Sequence, residues 1–114
     1  MFRLGLENIY LSWNILTRSI REAGSPNLYQ FLEELNLSHN MFSGDIPPSI
    51  TKCSNLKYLN FPDNLIASKI PPKMLKSLVS LDLSHNCMFG GILARLDNAN
   101  ALSMLQLDEN LFSR

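Results

Sequence analysis

Two Ser-His-Asn triplets, Ser38-His39-Asn40 and Ser84-His85-Asn86, are where this sequence comes nearest to reactive chemistry. A serine beside a histidine could be a nucleophile beside its base, and two histidines with Asp63 between them could share a metal ion or answer to pH. Sequential neighbours rarely align for proton transfer, however, and neither pair is accompanied by an oxyanion device or a Gly-rich phosphate loop. The expectation is no catalytic residue, no enzyme activity and no cofactor. Cys53 and Cys87 have no companion at metal-ligand spacing, so they read as two free thiols behaving as small buried hydrophobes, with no metal site.

What positions the triplets is a repeat. Asn14, Asn40, Asn64, Asn86 and Asn110 are spaced by 26, 24, 22 and 24 residues. Upstream of each stands the same apolar frame: Leu6-x-x-Ile9-x-Leu11, Leu32-x-x-Leu35-x-Leu37, Leu56-x-x-Leu59-x-Phe61, Leu78-x-x-Leu81-x-Leu83 and Leu102-x-x-Leu105-x-Leu107. Two residues after each Asn an apolar side chain recurs, as Leu16, Phe42, Ile66, Met88 and Phe112. Repeats therefore run over approximately 6–31, 32–55, 56–77 and 78–101, with a partial unit over 102–114.

Alternation within each frame predicts a short half-buried strand, its paired apolar side chains inward and their neighbours toward water. One such unit cannot bury its own apolar face, so units must stack into a continuous core with their strands parallel. The sharp turn after each strand leaves backbone groups needing partners, and an Asn amide offers both donor and acceptor. The five asparagines are thus expected to form a structural ladder. The Ile46-Pro47 and Ile70-Pro71 pairs favour extended chain beyond the turn, while the different spacings leave that far side uneven. Gly24-Ser25-Pro26 in the long first interval reads as a turn after a short helix or bend.

The same alternation selects the water-facing wall of the sheet. Its candidate binding residues are Tyr10 and Trp13; Glu34, Asn36 and His39; Tyr58, Asn60 and Asp63; Asp82 and His85; and Gln106, Asp108 and Glu109. The position before each Asn gives a column, Trp13, His39, Asp63, His85 and Glu109, with neighbours about 4.8 Å apart. The two histidines are then about 9.6 Å apart at the backbone, too far to share a metal comfortably. Asp63 between them would favour protonated imidazole and make binding on this wall depend on pH. Trp13 reads either as a binding anchor or as a cover for a neighbouring repeat.

Bulk properties narrow the partners. Ten Lys and Arg balance ten Asp and Glu, so no net field gathers phosphate backbones or anionic lipids, and nucleic acid is not an expected partner. No apolar run approaches the length of a membrane span, and the first residues carry no export signal pattern.

The pattern LxxLxLxxNx followed by an apolar residue resembles the leucine-rich repeat family over essentially the whole chain, and Asn40 to Leu59, NMFSGDIPPSITKCSNLKYL, is similar to its plant-type subtype. The resemblance implies an α/β repeat: a leucine-rich-repeat solenoid with a short parallel sheet on the concave face, an irregular or 3-10 convex side, and both ends uncapped within a longer array. It also implies a protein or peptide recognition module from a plant cell-surface receptor ectodomain, at the plasma membrane or outside it, in defence or developmental signalling. The partner would be a protein or peptide ligand or a co-receptor. A soluble inhibitor or scaffold of the polygalacturonase-inhibitor kind, or a non-functional truncated gene product, are the alternatives. Asn36-Leu37-Ser38 is an N-glycosylation triplet, relevant if the chain is secreted.

Overall fold

The computed structural model describes residues 2–5, 31–46, 48–91 and 99–113. Within them the chain winds as a solenoid. Strands β1 (Phe2–Gly5), β2 (Leu32–Asn36), β4 (Tyr58–Asn60), β6 (Ser80–Asp82) and β8 (Met104–Gln106) form one parallel five-stranded sheet in that spatial order. Each strand is short because only the alternating apolar segment of a repeat is extended; the asparagine turn ends it. Leu35, Leu59, Leu81 and Leu105 stand opposite one another in register.

Two 3-10 helices, at Pro48–Lys52 and Pro72–Leu75, return the chain on the other side of the core. The second carries proline at its first position, where a missing N–H costs nothing. Between sheet and helices lies one continuous apolar core, in which Leu35, Leu59, Leu81, Phe42, Phe61 and Ile66 are fully buried, while Phe112 packs against it half-exposed. The solenoid with its parallel sheet and 3-10 side is the architecture that the repeat implied.

The flank after the turns holds more order than the sequence suggested. Strand β3 (Ser43–Gly44) pairs in parallel with β5 (Leu65–Ile66), and β7 (Phe89–Gly91) with β9 (Leu111–Ser113). Bonds from Cys87 N–H to the Ile66 carbonyl (2.8 Å) and from Phe89 N–H to the Ser68 carbonyl (3.0 Å) link the two pairs. Gly44 and Gly90 occupy equivalent places with φ of +82° and +93°, a conformation that glycine adopts without steric cost.

The first turn departs from the expected frame. Spacing to Asn14 selected Ile9-x-Leu11 as its strand, whereas the strand that joins the sheet is Phe2–Gly5, with Leu4 opposite Leu35 and Gly5 opposite Asn36. Residues 1–11 hold two alternating apolar pairs, Leu4-x-Leu6 and Ile9-x-Leu11, so alternation alone does not choose between them. Tyr10, Trp13 and Asn14, the repeat boundary near residue 6 and the bend placed at Thr17 to Pro26 lie outside the described residues.

Candidate functional site

Pairing register turns the outward positions of the sheet into rows. Glu34, Tyr58, Ser80 and Met104 form one, with Arg3 of β1 in register at its end; Asn36, Asn60, Asp82 and Gln106 form the next. The outward residues of β2, β4 and β6 are half-buried while the leucines between them are buried, the alternation of a sheet with one packed face. Met104 and Gln106 are more exposed.

Four asparagine amides stitch the turns together beneath this face. The Asn64 side-chain amide donates to the Leu37 carbonyl of the preceding turn at 2.8 Å, and its Oδ1 accepts the Phe42 N–H at 3.1 Å. Asn86 does the same with Phe61 and Ile66, and Asn110 with Leu83 and Met88. Each of these three, like Asn40, also donates to carbonyls of its own turn. The result is a continuous ladder over four turns that satisfies buried backbone groups.

The residue before each asparagine sits in the left-handed region: His39, Asp63, His85 and Glu109 have φ of 56°, 58°, 57° and 59°. Non-glycine residues adopt this conformation at a cost. Here it is held by bonds to the next turn, from His39 N–H to the Pro62 carbonyl, Asp63 N–H to that of Ser84 and His85 N–H to that of Asp108. The column of His39, Asp63, His85 and Glu109 is therefore a row of strained turn corners aligned along the rim of the sheet.

Their side chains do not converge. His39 Nδ1 lies 2.9 Å from Asp63 Oδ2, but His85 approaches Asp108 rather than Asp63, with Nε2 at 3.8 Å from Oδ2. The expectation of Asp63 shared by both imidazoles is thus corrected: each histidine takes the carboxylate of the following turn. Both pairs are solvent-exposed and each stabilises by at most about 1 kcal/mol. The Ser-His pairs separate as well. Ser38 Oγ donates to Asn36 Oδ1 at 2.6 Å and Ser84 Oγ to Asp82 Oδ1 at 2.7 Å, with the serine N–H groups donating to the same oxygens. These are turn-closing bonds, and they direct the hydroxyls away from the imidazoles. Asn36, the acceptor of the glycosylation triplet, thus stands on the sheet face with its oxygen engaged.

Of the two thiols, neither in a disulfide, Cys53 is buried, and burial pushes it up from 9.0 to about 11. Cys87 is free but exposed, contrary to the small-hydrophobe reading: it follows Asn86 and points out of the flank, as Met41, Leu65 and Leu111 do at the same position of their turns. Among the described residues, no group of three His, Cys, Asp or Glu side chains is placed to hold a metal ion, and no helix is long and apolar enough to cross a membrane.

A parallel sheet of this register, laced by an asparagine ladder, has its counterpart in known proteins. The Leucine Rich Repeat family model matches residues 31–53 and 77–99, and the tomato receptor-like protein EIX2 is 31% identical over 119 aligned positions covering 98% of this chain and 11% of its own. The chain belongs to the plant-type leucine-rich repeat family. Among solved structures, the Arabidopsis GASSHO1/SCHENGEN3 ectodomain in complex with CASPARIAN STRIP INTEGRITY FACTOR 2 superposes with a TM-score of 0.77 at 28% identity, over 95% of this chain and 12% of that one. Arabidopsis HAESA, in complex with the peptide hormone IDA and the co-receptor SERK1, gives 0.75 at 25% identity, over 98% and 18%. The chain spans about a tenth of the length of the curated relatives EIX2 and CLAVATA2.

Proposed function

We propose that this chain is a recognition segment of a plant cell-surface receptor ectodomain, that its sheet face takes a peptide or protein ligand in defence or developmental signalling, and that it works by binding rather than catalysis. The observation that carries the reading is the register of β2, β4, β6 and β8, which repeats the same outward positions turn after turn and so builds an extended wall of polar side chains, Tyr58 and Asn60 at its middle. Such a wall can contact successive residues of an extended ligand without any one deep pocket. HAESA and GASSHO1, similar in fold over nearly all of this chain, are described with a peptide hormone and co-receptor and with an integrity factor respectively, which supports a ligand of the same kind here. The half-buried Tyr58 supplies the rigid aromatic contact that peptide interfaces favour.

The test is binding of a pool of random-sequence peptides to the full chain, followed by fluorescence anisotropy. Peptides selected from the pool should lose at least about tenfold in affinity to Tyr58→Ala with Asn60→Ala, a difference of about 1.4 kcal/mol. Lys73→Ala, across the core, should leave affinity unchanged. Equal loss on both sides, or failure to select any binder, would remove the reading.

A further inference from the structure

Behind the net charge of zero, the described residues place much of their charge on different faces. The rows of the sheet and its rim carry Glu34, Asp63, Asp82, Asp108 and Glu109 and, in residues 31–46, 48–91 and 99–113, neither Lys nor Arg. Among the described residues, the one basic residue within a strand of the sheet is Arg3, at the β1 edge in register with Glu34. Lys52, Lys73 and Lys76 lie instead on or beside the two 3-10 helices on the other side of the core. Lys57 precedes β4, and Lys69 lies on the flank, where its side chain packs over Gly90.

We propose that the sheet face takes a cationic extended peptide segment, one bearing Arg or Lys side chains; this rests on the recognition reading above and narrows its ligand. Charge complementarity is the argument. A cationic ligand laid along β4, β6 and β8 meets the carboxylates of Asp82 and Glu109, with those of Asp63 and Asp108 beside the imidazoles of His39 and His85, and no Lys or Arg in these rows. An acidic ligand meets like charge along the same path. Two details favour arginine. The half-buried Tyr58 ring lies in the row beside Glu34 and Ser80, a place where a guanidinium can stack on an aromatic face. In the next row, Asp82 spends Oδ1 on the Ser84 N–H and hydroxyl, and its second oxygen has no protein partner among the described residues, so it can accept a charge-assisted bond from the ligand.

Asp82 also makes the experiment clean. The equivalent residue one turn away from β4 is Asn36, which closes its turn through Oδ1 onto Ser38 just as Asp82 does onto Ser84. Asp82→Asn therefore removes the charge and keeps the turn. Three pools of random dodecapeptides, rich in Arg and Lys, rich in Asp and Glu, or uncharged, are titrated against the full chain by fluorescence anisotropy. The cationic pool should bind at least about tenfold more tightly than the acidic one. That advantage should fall by about tenfold in Asp82→Asn with Glu109→Gln, and shrink as salt rises from about 0.05 to 0.5 M. Asp45→Asn, which removes an exposed carboxylate off the sheet face, should leave it intact. If the uncharged or acidic pool binds as tightly through Tyr58 and Asn60, this inference fails and the recognition reading stands. Cationic binding that Asp45→Asn weakens as much as the sheet-face pair would be unspecific attraction and overturns the inference too. No binding from any pool overturns both.

Discussion

Truncating Asn64 to alanine isolates the contribution of one rung of the ladder. The side chain makes four contacts, to the carbonyls of Leu37, Phe61 and Pro62 and from the N–H of Phe42. The three carbonyls keep another donor when it goes: Leu37 through Asn40 at 3.1 Å, Phe61 through Asn86 at 2.9 Å and Pro62 through the His39 N–H at 3.1 Å. The Phe42 N–H loses this acceptor in a fully buried place. Each of the four bonds lost costs about 1 kcal/mol. The sum is about 4 kcal/mol, a large fraction of the 5–15 kcal/mol typical of a domain. Asn110→Ala breaks the same kind of rung at a half-exposed position, where water can replace the amide, and should cost about 1 kcal/mol. Urea unfolding followed by circular dichroism, comparing midpoints at constant slope, reads both. Equal losses at the two positions, or a loss below about 1 kcal/mol for Asn64→Ala, would refute the reasoning.

Other outcomes follow from the same geometry. His85→Val should destabilise by about 1–2 kcal/mol, because a β-branched residue fits a φ of 57° poorly, whereas His85→Gly should be neutral or mildly stabilising; thermal unfolding distinguishes them. Leu59→Ala, in the core between two neighbouring strands, should cost about 2–5 kcal/mol in the same assay. A thiol reagent at neutral pH should label Cys87 at once and Cys53 only on unfolding, as read by mass spectrometry. Because the Cys53 thiol is raised to about 11, the folded state holds its proton more tightly than the unfolded chain; its contribution is complete below pH 9 and is lost as pH climbs from 9 to 11. That loss amounts to about 3 kcal/mol, and Cys53→Ala should lack this part of the alkaline decline in urea midpoints.

The fold was legible in the sequence wherever one residue type does one job. Leu59 and Leu81 had to face inward, and Asn64 was the side chain able to serve both a donor and an acceptor of a tight turn. What was not legible depends on contacts between turns. The strand of the first turn is not fixed by local pattern, because Leu4-x-Leu6 and Ile9-x-Leu11 both alternate, and it is pairing with β2 that selects Phe2–Gly5. The flanking β-pairs went unseen because Ser43-Gly44 and Phe89-Gly90-Gly91 have turn composition, and their extended form is imposed by the neighbouring turn. The left-handed corners gave no glycine signal, being occupied by His39, Asp63, His85 and Glu109. Local alternation did identify the outward residues of the sheet, but a balanced total charge concealed that its carboxylates lie across the core from Lys52, Lys73 and Lys76.

The most direct measurement is a map of backbone chemical-shift changes in the full chain on adding a selected peptide. The account predicts that the largest changes fall in β4, β6 and β8 and at the corners Asp63, His85 and Glu109. Changes concentrated instead at Pro48–Lys52 and Pro72–Leu75 would contradict the assignment of recognition to the sheet face.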